Sequence, residues 1–135
     1  MKIINAKKNS PMIAEFMGYK LITPEMRRDP STWKYSYWEN HNDDAQIKVL
    51  CGEDSLSYHY SYNDLMKAVD KIENLDSIIQ TSIRKDTSGE HTFGIIWYGH
   101  YIPKEKWYPT KFEAVYYGVI DFIHYYNTNI KDAKI

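Results

Sequence analysis

The side chains best suited to hold a metal lie in one run, Glu39, His41, Asp43 and Asp44 within "WENHNDDA". Carboxylate oxygens and an imidazole nitrogen are the usual donors for hard and borderline cations. The run has no glycine at the turn of an EF-hand loop and no closing Glu, so it reads as a polar turn built by Asn and Asp, and no metal is expected. The five histidines, at 41, 59, 91, 100 and 124, form no His-Glu-x-x-His array. A His-assisted catalytic pair therefore has to come from tertiary contacts. Cys51 alternates with Ile47 and Val49, which places it on an apolar strand face as an inert thiol. There is no Gly-x-Ser-x-Gly elbow and no glycine-rich phosphate loop. No catalytic residue and no cofactor are assigned. An enzyme acting on a nucleotide without a recognisable motif is kept as an alternative.

Binding chemistry is better supplied. Only three of the 17 basic residues are arginine, and arginine is the residue that grips phosphate or carboxylate with two parallel hydrogen bonds. Arg27 and Arg28 lie in a loop near Trp33 and Trp38. Arg84, Tyr98 and His100 fall on the outer face of a late strand hairpin. Cation, aromatic ring and imidazole together suit a small anionic nucleotide, through charge neutralisation and stacking. In the competing reading Arg84 is a solvated edge residue and Tyr98 packs on a neighbour. The 17 basic and 18 acidic residues nearly cancel, at a net charge of −1. That argues against a nucleic-acid partner, which ordinarily needs a basic stripe. A nucleic-acid-binding module stays a second alternative.

Elements of ordinary globular composition must position these groups. The chain has 135 residues, 43% apolar and 26% charged, which suits a single domain with a core of its own. Residues 1–9 read as an N-terminal tail. One cysteine rules out an intramolecular disulfide, and no long apolar run suggests a leader or a membrane span. A cytoplasmic protein is expected. Thirteen residues are tyrosine, a side chain that serves core, interface or pocket equally well.

"SPMIAEFMGYK" reads as a short helix, with Ser10 as N-cap, Pro11 at the first helical position, Gly18 closing it, and Ile13, Phe16 and Met17 as its apolar stripe. Residues 21–32, with Pro24 and Pro30, read as a loop. The alternating run 32–39 predicts a strand with Trp33, Tyr35 and Tyr37 on one side. Residues 46–51 and 55–60 predict a hairpin that points Tyr58 and Tyr60 inward and His59 outward. At Ser61 the apolar period changes from two to 3.6, so Ser61 should cap a helix carrying Leu65, Val69 and Ile72. Residues 77–85 and 91–102 predict a second hairpin around "DTSGE", with Phe93, Ile95 and Trp97 on one face. His91 and His100 should then point to opposite sides of one strand. Thr110 and Glu113 form a capping box before a helix carrying Val115, Val119 and Phe122. Without regular β–α–β alternation the fold class is α+β: an antiparallel sheet of four to five strands packed with three helices. Ile96 and Tyr98 on the hairpin's second face, with Trp38, predict a homodimer.

Three stretches, "IAEFMGYKL", "YHYSYNDLMKAVDKIE" and "YPTKFEAVYYGVIDFIHYYN", resemble small proteins encoded by bacteriophages and prophages, including those of Bacteroidetes hosts. They are similar to the phage ABA-sandwich type of domain. The resemblance rests on Ala14, Met17 and Gly18, on Tyr60 and Ser61, and on Thr110 and Ala114. Residues 23–55 depart from the pattern. The resemblance implies no activity and no catalytic residues. A phage setting implies an accessory binding protein in the infected cell's cytoplasm. Such a protein would counter host defence by sequestering a cyclic or other small nucleotide signal, or by blocking a defence protein.

Overall fold

The computed structural model describes residues 6–23, 36–40, 48–51, 56–102 and 104–131. Among the described residues three helices, α1 (Ala6–Phe16), α2 (Tyr62–Glu73) and α3 (Lys111–Tyr126), accompany six short strands. The strands are β1 (Tyr19–Ile22), β2 (Tyr37–Asn40), β3 (Lys48–Cys51), β4 (Gln80–Lys85), β5 (His91–Trp97) and β6 (His100–Tyr101). The class is α+β with antiparallel pairing throughout. The strands divide into two three-stranded sheets, β1-β2-β3 and β4-β5-β6, instead of one.

Local signals explain the best-formed elements. Ser61 caps α2 with its hydroxyl accepting from the Asp64 amide, and Thr110 caps α3 in the same way through Glu113. Each cap supplies a partner for an amide that has none inside its helix. Asp64 accepts hydrogen bonds from Ser57 and Lys67, and the Ser57 bond chiefly holds its carboxyl below the usual carboxylate range. Leu65, Val69 and Ile72 of α2 and Val115, Val119 and Phe122 of α3 are buried in the core, as expected. Fully burying a side chain of this size contributes roughly 1.5–3 kcal/mol.

α1 starts earlier than the sequence signals suggest. It begins at Ala6, and Pro11 lies inside it. The Ser10 side chain is not a cap. It is 2% exposed, and its hydroxyl bonds the Tyr116 phenol at 3.1 Å and His59 Nδ1 at 3.4 Å. Gly18 ends the helical segment with a φ of 98°, where a Cβ would be strained. Phe16 lies edge-on to Phe122 and Tyr126, which ties α1 to α3.

One expected loop and one expected strand change. Residues 21 and 22 belong to β1, which pairs with β2 with Leu21 opposite Trp38. Residues 56–60 do not form a hairpin with β3, whose partner is β2. The Ser57 carbonyl accepts from the Tyr60 and Ser61 amides, and this turn delivers the chain into α2. Tyr58 is buried as expected, but Tyr60 is 66% exposed because the turn breaks the alternation, and half-buried His59 reaches Ser10. Burial drives the Tyr58 phenol well above its ordinary pKa.

In the second sheet β4 and β5 form the expected hairpin, with Ile83 opposite Phe93 and Thr81 opposite Ile95. Asp86 closes the β4–β5 turn: its carboxylate accepts from the Ser88 hydroxyl and the Ser88 and Glu90 amides. Phe93 and Ile95 are buried, and Trp97 packs on Phe122 with ring centres 6.3 Å apart. The predicted strand 91–102 is two strands, because the chain reverses at Tyr98-Gly99 and pairs Trp97 with His100.

Candidate functional site

The β4–β5–β6 sheet has one face against α3 and one turned away from it. Cross-strand partners share a face, so Ser82 with Gly94, Arg84 with Thr92, and Ile96 with Tyr101 all belong to the outer face. The connection from β6 to α3 returns along the β5 edge, where Tyr108 and His91 exchange backbone hydrogen bonds at 2.7 Å. Thr92, fully buried, donates from Oγ1 to the Lys106 carbonyl at 2.7 Å, which fixes that connection beside the sheet. Glu105 and Trp107 are thereby brought to Arg84.

Arg84 is the centre of the arrangement. Its guanidinium pairs with Glu105, and that bond raises its pKa further. Its central carbon lies 5.4 Å from the Tyr101 ring centre and 6.0 Å from that of Trp107, within cation–π range. Gly94 lets Tyr101 close over the sheet, since a Cβ there would meet Tyr101 Cε1 at 2.8 Å. Ser82 Oγ, the register neighbour of Gly94, is buried without a hydrogen-bond partner. Tyr101 and Trp107 remain more than 40% exposed.

Tyr98 stands at the hairpin tip. It is 73% exposed and stacks on Trp97, ring centres 6.1 Å apart and planes 14° from parallel. Its φ is +54°, the one positive value at a non-glycine among the described residues, and Gly99 follows at +79°. A two-residue hairpin with both central residues at positive φ normally carries Asn-Gly or Asp-Gly. A bulky aromatic residue there is an outlier that costs on the order of 1–2 kcal/mol. The Trp97 indole donates to Asp76 Oδ2 at 3.2 Å and so steadies the tip. The exposed side chain of Ile78 lies just ahead of β4.

The predicted site residues separate. Arg84 lies on the outer face, as expected. His100, paired with Trp97, belongs to the opposite face, because the Tyr98-Gly99 turn intervenes. His91 shares that face with His100 by register, so the expected opposition of the two is corrected. Trp38, expected at a binding and dimer surface, is 2% exposed. It stands between Leu21 and Leu50 in the first sheet and belongs to the core. Arg27, Arg28, Trp33 and His41 lie outside the described residues, and so does the Cys51 side chain. Tyr101, Glu105 and Trp107 were missed. Tyr101 was hidden in a presumed continuous strand and the other two in a proline-bounded loop; the Tyr98-Gly99 pair was the available signal.

Among the described residues, one hydroxyl–imidazole contact lies away from this face. The Ser10–His59 contact is a hydroxyl–imidazole pair, but Ser10 is buried and shared with Tyr116, which suits a structural bond. Among the described residues no three His, Cys, Asp or Glu side chains form a metal-binding group. Nor is any helix among them long and apolar enough to cross a membrane. A cavity between Phe93, Ile95, Gly118 and the 104–106 segment holds about 10 Å³, room for about one water. No family model, curated protein or solved structure matches the chain.

Proposed function

We propose that this chain is a non-catalytic binding protein that recognises a protein partner through the outer face and tip of the β4–β5–β6 sheet. The carrying observation is Tyr98, an exposed aromatic side chain held at positive φ in a position that local folding rules give to Asn or Gly. Strain kept in place by its surroundings and directed outward is characteristic of recognition sites. Tyr101, Trp107 and Arg84 continue the surface, and Tyr, Trp and Arg dominate binding hot spots. Since Arg84 already has a carboxylate partner, the surface suits a protein better than a free anion.

The phage resemblance supplies the finer reading. The partner is a host defence protein, bound in the cytoplasm of the infected cell. Sequestration of a nucleotide signal is the second reading, favoured by the placement of Arg84 between two rings. For that, the phosphate has to replace Glu105. A second copy of this chain is a further occupant of the same face.

The test is capture of bacterial lysate proteins on the immobilised chain and on its Tyr101→Ser/Trp107→Ser variant, followed by titration of the purified partner. The variant should melt near the wild type and bind at least about 30-fold more weakly, the loss expected of a hot-spot residue. Equal binding would remove this face as the site. Mass spectrometry of cyclic oligonucleotides retained by the wild type decides the second reading, and sedimentation decides self-association.

A further inference from the structure

A second concavity lies where residues of α1, of α2 and of the end of α3 come together. Its volume is about 220 Å³, and Glu15, Phe16, Lys71, Leu75, Tyr126 and Asn127 line it. Phe16 and Tyr126 form an aromatic wall with their rings at 81° and 5.9 Å apart. Leu75, two residues beyond the end of α2, packs against the core and supplies an apolar part of the lining. Asn127 opens a π-helical turn, Asn127–Lys131, that prolongs α3. Wide turns of this kind are found frequently at functional sites.

Lys71 is the one cation of the lining. Its ammonium sits 5.2 Å from the Phe16 ring centre. None of the ion pairs among the described residues includes it. Burial alone lowers its pKa, and no neighbouring carboxylate offsets the effect. A half-buried ammonium without a counter-charge is incompletely compensated, since an aromatic face replaces only part of its lost hydration. Glu15, on the rim, is exposed, so solvent and salt screen its charge far more than that of Lys71.

We propose that this cavity binds a small organic carboxylate, with the carboxylate on Lys71 and an apolar, preferably aromatic, body against Phe16, Tyr126 and Leu75. The lining divides evenly between apolar or aromatic side chains, Phe16, Leu75 and Tyr126, and polar ones, Glu15, Lys71 and Asn127, so it suits a small ligand with an apolar body and a polar head. The charge of Lys71 sets the ligand's sign, and the ring pair sets its shape. Nothing in this site overlaps the outer face of the second sheet, so the two can be tested independently.

The experiment is an NMR titration of the full chain with phenylacetate and, separately, with neutral phenylacetamide. Phenylacetate should shift the resonances of Phe16, Lys71 and Tyr126 saturably in the millimolar range usual for so small a ligand. Phenylacetamide should bind at least about tenfold more weakly, because it lacks the charge. Lys71→Met, which keeps the apolar stem on the helix, should lose phenylacetate by a similar factor. The amide comparison uses the wild type and so does not depend on the variant's folding. Absence of saturable shifts at these residues, or equal binding of the acid and the amide, overturns the proposal.

Discussion

The two sheets have the same strand number and the same antiparallel pairing, yet they are built differently. The second sheet seals one face with α3: Phe93 meets Gly118, Ile95 is buried, and Trp97 packs on Phe122. Tyr101 on its other face, Trp107 on the connection beside it and Tyr98 at the tip stay in solvent. In the first sheet Trp38 is driven inward, while its neighbours Tyr19 and Leu21 are only half-buried. A sheet anchored by a long capped helix can carry an exposed aromatic surface without losing its register, because the buried face already specifies the pairing. The contrast places stability on the α3 side of the second sheet and leaves its outer side exposed for the recognition proposed above.

The largest expected effect tests that anchoring. Phe122→Ala removes the ring shared by α1, α3 and Trp97, and urea unfolding should show a loss of about 3–5 kcal/mol. Leu21→Ala in the first sheet should cost less, about 1–2 kcal/mol, because its side chain is only partly withdrawn from water. A first-sheet loss as large as the Phe122 loss would erase the distinction.

Two glycines sharpen it on a smaller scale. At Gly118 a Cβ would meet the Cδ2, Cβ and Cγ atoms of Phe93 at 3.0–3.2 Å, inside the core. Gly118→Ala should therefore cost about 1–3 kcal/mol from overpacking, less the roughly 1 kcal/mol that alanine gains in a helix. At Gly94 the contacts are the outer parts of exposed Tyr101 and of Glu105, which can swing away. Gly94→Ala should change the melting temperature little and alter partner binding by moving Tyr101.

How much was legible follows the same division. The caps Ser61 and Thr110, the 3.6 period behind each, and the Asp86 turn are signals carried by neighbours in sequence, so α2, α3 and the β4–β5 hairpin could be read directly. In the first sheet the alternating runs 32–39 and 46–51 announce strands where β2 and β3 lie, whereas β1, four residues long, is too short for alternation to separate it from loop. The Ser57 turn defeated the expected strand through a local hydrogen bond that composition does not announce. Of the candidate surface, Arg84 and Tyr98 were legible as residue types. Tyr101, Glu105 and Trp107 join them only through the β5–β6 register and the Thr92–Lys106 bond, which are tertiary facts.

A still smaller effect lies at the joint between the two regions. Asp64 is held ionised in the folded chain by Ser57, Lys67 and the α2 cap. Its folded pKa is depressed, so its contribution is full above the unfolded carboxylate pKa and is lost as pH falls through the lower folded value. Asp64→Asn should lower the melting temperature slightly at neutral pH, by the equivalent of about 0.5 kcal/mol for an exposed group at a helix N-terminus. The difference from wild type should close progressively in acid. A difference that does not depend on pH would mean the carboxylate charge is not what matters there.

The central claim, that the second sheet's tip carries strain for the sake of recognition, rests most directly on Tyr98→Asn. Asparagine tolerates positive φ and makes the turn an Asn-Gly pair. The decisive measurement is the affinity of this variant for the captured partner, taken beside its thermal melt. The expected result is a chain as stable as wild type or more so, by up to about 1 kcal/mol, that binds at least about tenfold more weakly. Undiminished binding, or a marked fall in stability, would contradict the assignment of Tyr98 to recognition.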